Sequence, residues 1–202
     1  MQVQVKILKA LAAICPKDDG RPITEVWLDS RGRRARLWAS NGSLLVVHTL
    51  DTPGPIKPIP YSPSTLKALP AKEFVCIDTV DGEKHQSRQL CDSRGPLTKG
   101  EHAGSTPPDI DLVIPSSGDG NRLVNGRVGF NPFLISQLAG TVAKIEGVKP
   151  SDKTGTEWCI GGPLEATTVR LGSTLGIIMP LRLVDTRSVE DLVAEFGAAS
   201  SK

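Results

Sequence analysis

The chain has 202 residues, a formal net charge of +2, and 39% apolar and 23% charged residues. This composition is typical of a soluble globular protein, and the low net charge argues against a strongly basic nucleic-acid binder. No apolar run approaches the roughly 20 residues of a membrane-spanning helix, and the amino terminus lacks the apolar core of a signal peptide. We therefore expect a cytoplasmic protein with one large domain or up to two small ones.

The residues that most often bind metals or carry out catalysis form no recognisable motif. The cysteines and histidines are scattered along the chain: Cys15, Cys76, Cys91, Cys159, His48, His85 and His102. Their spacing does not favour a zinc site, and free, mostly buried thiols in a reducing cytoplasm are expected instead. Because the chain also lacks the G-x-S-x-G, P-loop and H-E-x-x-H motifs, we expect no metal, no cofactor and no enzymatic activity.

The first 50 residues predict one helix followed by three strands. Ile7, Leu11 and Ile14 recur on one face of a helix over 5–15. Strands are predicted over 23–28, 33–39 and 44–50, with a turn at Asn41-Gly42 before the last of them. In the middle strand, Ala35 and Leu37 alternate with Arg34, Arg36 and Trp38, which is typical of a half-exposed antiparallel strand.

The same order of elements occurs twice more. Ser62-Pro63 and Asn131-Pro132 each place a capping residue before a proline at the first helical position. The second helix precedes strands over 74–80 and 84–91, with Pro-rich residues 51–60 ahead of it as a connector or an edge. The third precedes strands over 158–160, 166–171 and 175–183. A short strand is predicted over 110–115, and Ser188 opens a short tail helix.

A unit of about 50 to 60 residues is therefore used three times, which predicts a repeated fold. Each unit offers one amphipathic helix to one face of an antiparallel sheet, so the predicted class is α+β with the helices on one side. The predicted boundaries are a complete domain over 1–115 with halves 1–50 and 56–115, a linker over 116–121, a half-domain over 122–184, and a short helix and tail over 185–202.

The last predicted strand, Leu175 to Leu183, is an apolar run with Pro180 inside it and Arg182 two residues later. Such a strip either seals a core or binds a partner, and its composition alone favours a core.

Three segments resemble the bacterial DNA polymerase III beta subunit, the sliding clamp. Residues 39–45, A-S-N-G-S-L-L, are similar to the family's A-T-D-G-H-R-L turn. Residues 108–115, P-D-I-D-L-V-I-P, are similar to its P-D-Y-x-x-V-I-P segment. Residues 129–132, G-F-N-P, and 178–183, I-M-P-L-R-L, are similar to the start and finish of its last half-domain. The resemblance covers a whole middle domain and the second half of a third domain, which implies a shortened member of the family.

In that family the three segments line a surface pocket that takes short linear peptides from polymerases and repair factors. Carried over by position, the resemblance implies a peptide-binding groove formed by Gly42, Leu45, Pro115, Ile178, Met179, Pro180, Leu181 and Arg182. Such an apolar groove can bury the Leu and Phe side chains that anchor a bound peptide. The flexible side chain of methionine can adjust to anchoring side chains of different shapes. The chain departs from the family pattern at Asn41, Ser43 and Leu44, so the resemblance implies a pocket whose polar rim differs from the family's.

The resemblance also implies sequence-independent contact with the DNA backbone through lysines on pore-lining helices. The candidates are Lys6, Lys9, Lys17, Lys67 and Lys72, while the third helix offers only two lysines near its end. Lysines opposite an apolar stripe are also typical of a helix face that contacts only water.

Two functions follow from these patterns. The first is a DNA-tethering processivity factor that recruits polymerase or repair factors through the groove. The alternative is a clamp-derived peptide-binding module that does not encircle DNA, and a scaffold without either activity is the third option. Because an unpaired half-domain over 122–184 exposes a sheet edge, we expect a homo-oligomer, with a dimer preferred.

Overall fold

Two antiparallel sheets and a layer of helices make up the described part of the chain. The computed structural model describes residues 2–16, 22–32, 34–53, 56–70, 74–81, 86–103, 106–115, 130–149, 151–152, 154–160 and 165–180. The α-helices are α1 (Val5–Ala12), α2 (Pro63–Ala68) and α3 (Pro132–Glu146). The strands are β1 (Gln2–Gln4), β2 (Val26–Arg31), β3 (Arg34–Ser40), β4 (Leu44–Pro53), β5 (Ile59–Tyr61), β6 (Phe74–Asp81), β7 (Gln86–Asp92), β8 (Gly95–Pro96), β9 (Glu157–Cys159), β10 (Thr167–Leu171) and β11 (Thr174–Ile178).

The first two units exchange the short strands that precede their helices. β1 pairs with β6 of the second unit, and β5 pairs with β2 of the first unit. Tyr61 at the end of β5 is fully buried, and its hydroxyl accepts a hydrogen bond of 2.8 Å from the backbone N–H of Leu90. Each sheet therefore contains a strand from the other unit, which ties the two units together.

The strands of the third unit extend the sheet of the first. β11 pairs with β4, so that one sheet of seven strands runs in the order β5-β2-β3-β4-β11-β10-β9. The expectation that residues 122–184 expose a sheet edge is therefore only half right. The β11 edge is covered within the chain by β4, because both strands present apolar residues in matching register, and among the described strands β9 is the last of the sheet.

The helices pack on one face of this sheet, and α1 contacts both α2 and α3. The core between helices and strands includes fully buried Leu8, Leu11, Leu37 and Leu138. This arrangement confirms the predicted α+β class with its helices on one side. None of the described helices is long and apolar enough to cross a membrane.

A second, smaller core lies on the opposite face of the seven-stranded sheet. Trp27 and Trp38 stack there with ring centroids 5.9 Å apart and an angle of 10° between their planes. The segment 108–115 covers them with Ile110. The prediction that β3 is half-exposed was therefore wrong, because this segment buries Arg36 and Trp38 on the side that was expected to face solvent.

The covering segment itself differs from its prediction. Instead of a strand over 110–115, residues Ile110–Leu112 form a 3₁₀ helix. The Asp109 carboxylate accepts a hydrogen bond of 3.1 Å from the backbone N–H of Asp111, and the N–H of Val113 bonds to the carbonyl of Ile110. Such local bonds favour a turn over a strand. The linker 116–121 and the tail from residue 185 onward lie outside the described residues.

Candidate functional site

Two adjoining apolar cavities lie on the sheet face opposite the helices, and we call them together the groove. The smaller has a volume of about 150 Å³ and the larger about 390 Å³. Val113 and Met179 line both, so these two side chains form the boundary between them. The Met179 side chain stands at the surface with 40% of its area exposed.

The smaller cavity is formed by the β3–β4 turn, the covering segment and the end of β11. Its main apolar lining residues are Trp38, Leu45, Ile110, Val113, Ile177 and Met179. The larger cavity lies between the covering segment and the β9–β10 connection. Its main apolar lining residues are Leu112, Val113, Ile114, Pro115, Ile160 and Met179. Segments that are far apart in the sequence therefore converge on one apolar site.

Local hydrogen bonds fix the turn at one end of the groove. The Asn41 side-chain oxygen accepts bonds from the N–H groups of Ser43 and Leu44 at 3.0 and 2.8 Å. Gly42 has a φ of +88°, which a residue with a side chain rarely adopts. The N–H of Met179 donates to the carbonyl of Ser43 at 3.1 Å, so the turn also holds the residue that divides the groove.

A buried arginine holds the covering segment on the sheet. The Arg36 guanidinium donates to Asp29 at 2.5 Å and to Asp111 at 2.6 Å, and the Trp38 indole N–H donates to Asp29 at 2.9 Å. Burial lowers the pKa of Arg36, but the hydrogen bonds and charges of both carboxylates outweigh it and raise the pKa overall. Since Asp111 belongs to the covering segment, this network positions one wall of the groove.

Most of the predicted groove residues that the structure describes do meet. Gly42, Leu45 and Met179 line the smaller cavity, and Pro115 lines the larger. Ile178 is a correction, because it is fully buried in the core on the helix side.

Alternation along β11 places Ile177, not Ile178, on the groove face. Pro180 is half-buried and does not line either cavity, while Leu181 and Arg182 lie outside the described residues. The lining residues that sequence reasoning missed are Trp38, Ile110, Leu112, Val113, Ile114, Cys159, Ile160 and Ile177. The apolar 110–114 run was a signal for several of them.

A polar cluster joins the first and third units at the end of β11 away from the groove. Thr174 on β11 donates to Glu146 of α3 at 2.5 Å, and Nδ1 of His48 on β4 lies 2.9 Å from the same hydroxyl. Because the threonine has already donated its only proton, His48 must donate in this pair. Burial lowers the pKa of His48, and attraction by Glu146 offsets only part of that effect.

Stability is therefore expected to fall in mild acid. Below the ordinary pKa of about 6.5, the unfolded chain gains a proton at His48 that the folded chain takes up only at lower pH, so the free energy of unfolding decreases as pH falls through that window. Urea unfolding at about pH 7.5 and about pH 5.5 should show a larger loss for the wild type than for His48→Gln. Equal losses in the two proteins would contradict this role.

Lysines supply the charge on the helical layer. Lys6 and Lys9 on α1 are half-buried and Lys67 on α2 is exposed, whereas Lys17 and Lys72 lie outside the described residues. Among the described residues of the three α-helices the one acidic side chain is Glu146, which is hydrogen-bonded to Thr174. The helical layer is therefore positively charged.

A third cavity, of about 430 Å³, lies beside α2 and is lined mainly by residues with polar side chains. Its walls include Glu25 and His102, whose Oε2 and Nδ1 atoms are 3.0 Å apart. Burial raises the pKa of the nearby Cys15 thiol to about 12, so this sulfur stays protonated and is a poor nucleophile. The cavity thus holds a contact between a histidine and a carboxylate, and its described residues include no activated nucleophile.

Comparison with known proteins identifies the fold. A scan against protein-family models and a search of curated proteins gave no match. Among solved structures, the DNA polymerase sliding clamps from Pseudomonas aeruginosa and Bacillus subtilis are similar with TM-scores of 0.56, at 13% and 14% identity. These matches cover 91% of this chain and 66% and 64% of the clamp chains.

A putative DNA polymerase III beta subunit from Eubacterium rectale is similar at a TM-score of 0.53 and 11% identity, over 91% of this chain and 65% of that one. The chain thus spans about two-thirds of the length of the clamps it matches. The likeness confirms the resemblance found in the sequence: this chain has the fold of bacterial DNA polymerase III sliding clamps.

Proposed function

We propose that the protein is a sliding-clamp-like replication protein that recruits polymerase or repair factors by binding their short peptides in the groove. The observation that carries the proposal is the convergence of the β3–β4 turn, the covering segment and Met179 on one apolar site. Paired apolar cavities suit two hydrophobic anchors of one peptide, and backbone groups at the rim can orient it. Titration of the protein with a clamp-binding peptide carrying Leu and Phe anchors should give saturable one-to-one binding.

The same proposal includes contact between the helical layer and the DNA backbone. The supporting observation is that Lys6, Lys9 and Lys67 all belong to helices that pack side by side. Lysines bind phosphates without reading the base sequence. The predicted homodimer and cytoplasmic location belong to this proposal as well.

Replacing Lys9 and Lys67 with serine should weaken DNA binding and its dependence on salt. Each phosphate contact contributes about 0.9 to the slope of log affinity against log salt, so the slope should fall by about 2. Fluorescence anisotropy with a duplex at several salt concentrations measures this slope. The matched control replaces exposed Arg34 and Arg170 on β3 and β10 with serine, which should leave the slope unchanged. Equal effects of the two double variants would argue against a DNA-binding helical layer.

The alternative is a peptide-binding module that does not encircle DNA. The observation that favours it is the low formal net charge of +2. Retention on circular DNA with release from linear DNA would support an encircling clamp. Peptide binding without any topological retention would support the module.

A further inference from the structure

Two cysteines face each other across neighbouring strands of the smaller sheet. This sheet has four strands in the order β1-β6-β7-β8, and the ladder between β6 and β7 places Cys76 directly opposite Cys91. Both thiols are free in the structure. The two residues do not form a C-x-x-C motif, so it is the register of the strands that reveals the pair.

The spacing of such a pair suits a disulfide bond. Residues directly opposite each other on antiparallel strands have Cα atoms about 4.5 or 5.5 Å apart. Two cysteines can be bridged when their Cα atoms are about 4.4 to 6.8 Å apart. Their side chains also project from the same face of the sheet, because opposite residues of an antiparallel pair always do. A bond between the two sulfurs therefore requires no change in the pairing of the strands.

The pair lies on the face of the smaller sheet that points away from the core. Val75 and Ile77, which flank Cys76, are buried in the main core, and so is Leu90, which precedes Cys91. Alternation along the strands places both cysteines on the opposite face. Each of them is partly exposed. Small molecules in solution can therefore reach this face of the sheet.

The other two cysteines of the chain have no such partner. Cys15 is buried, and its thiol donates a hydrogen bond of 3.9 Å to the carbonyl of Leu11. Cys159 belongs to β9 of the seven-stranded sheet, where Thr168 lies opposite it. The arrangement of two opposed thiols is thus confined to Cys76 and Cys91.

We propose that Cys76 and Cys91 form a reversible disulfide, which makes the smaller sheet a site of redox modification. The oxidant is a low-molecular-weight disulfide such as glutathione disulfide. One cysteine thiolate attacks the S–S bond of the oxidant, which breaks, so that a mixed disulfide forms and one glutathione thiolate leaves. The other cysteine thiolate attacks the protein sulfur of the mixed disulfide and displaces the second glutathione. The protein loses two electrons and two protons, and the oxidant gains them as two thiols.

The surroundings of Cys91 set the pH dependence of this reaction. Burial and the nearby negative charge of Asp78 raise the pKa of the Cys91 thiol. Each sulfur acts once as the attacking thiolate, whichever of them reacts first, so a protonated Cys91 slows the overall reaction. The disulfide should therefore form faster as the pH rises.

The bond would link two strands that already connect the first two units. β6 pairs on its other side with β1, which belongs to the first unit. In a reducing compartment the two thiols prevail, and the bond forms only when an oxidant is present. This proposal is independent of peptide binding, since the groove lies on the other sheet.

Peptide mapping after oxidation tests the proposal. The folded protein is incubated with glutathione disulfide, alkylated and digested with trypsin without reduction. The fragments 73–84 and 89–94, which contain Cys76 and Cys91, should appear as one linked pair and separate again after treatment with dithiothreitol. The matched control Cys159→Ser should give the same linked pair. Cys76→Ser should instead retain a glutathione adduct on Cys91, because no second thiol can displace it.

The equilibrium between the two forms gives a second readout. Two molecules of glutathione are released for each internal disulfide, so the ratio of linked to unlinked protein should vary with the inverse square of the glutathione concentration at fixed glutathione disulfide. Variation with the inverse first power would show a mixed disulfide and overturn the proposal. Separate adducts on Cys76 and Cys91, or a bond that includes Cys15 or Cys159, would also overturn it. Should Cys76→Ser fail to fold by circular dichroism, the map of the wild type decides alone.

Discussion

Met179→Asp is expected to abolish peptide binding while leaving the fold intact. Met179 divides the two cavities, so a carboxylate there is buried against the apolar anchors of any bound peptide. Burying an unpaired charge costs several kcal/mol, which corresponds to a loss of about 100-fold or more in affinity. Because the side chain is 40% exposed in the free protein, the free energy of unfolding should change little. Isothermal titration with a clamp-binding peptide, beside urea unfolding, measures both quantities.

Phe133→Asp is the control for this variant, since it introduces the same charge at an exposed apolar residue far from the groove. It should bind the peptide as the wild type does. Unchanged binding by Met179→Asp would show that the peptide binds elsewhere on the protein.

Arg36→Leu should lower the free energy of unfolding by about 3 to 5 kcal/mol, because it leaves a buried carboxylate without its partner. The Asp29 side chain is only 6% exposed and, among the side chains that the structure describes, would keep the Trp38 indole as its donor. The covering segment would also lose the ion pair between Asp111 and Arg36 that holds it on the sheet, so peptide affinity should fall as well. Urea unfolding and peptide titration of the same variant measure the two effects.

Arg31→Leu provides the comparison. This arginine also contacts Asp111, at 3.2 Å, but its side chain is 60% exposed. Exposed ion pairs contribute less than about 1 kcal/mol, so this variant should be nearly as stable as the wild type. Similar decreases in the free energy of unfolding for Arg31→Leu and Arg36→Leu would contradict the claim that burial makes the contacts of Arg36 the stronger ones.

The repeated helix-and-strands order could be predicted because its signals are local. Ser62-Pro63 and Asn131-Pro132 both stand at helix starts, as predicted. The Asn131 side chain accepts the bond from the N–H of Phe133 that a cap predicts, whereas the Ser62 hydroxyl makes no capping bond and lies 2.7 Å from the Ser64 hydroxyl. The α+β class follows from that order.

The exchange of β1 and β5 could not be predicted in the same way. These strands are three residues long, and Pro60 interrupts the pattern of one. Pairing between distant units depends on burial in a shared core, which short segments do not reveal.

The groove could be located in outline but not by side chain. Resemblance brought the correct segments together, yet it assigned Ile178 where alternation along β11 presents Ile177. The buried state of Arg36 and Trp38 was also missed, because the alternation in β3 is the usual pattern of a half-exposed strand. These two residues are buried by the covering segment, which lies more than 70 residues away in the sequence, as the contact between Arg36 and Asp111 shows.

The central claim is that the groove around Met179 binds a peptide, and methyl NMR of methionine tests it most directly. The sequence contains only two methionines, Met1 and Met179, so the spectrum of a ¹³C-methyl-labelled protein is simple to read. On titration with a clamp-binding peptide, the Met179 signal should shift saturably while the Met1 signal stays in place. A Met179 signal that remains unchanged at saturating peptide would contradict the account.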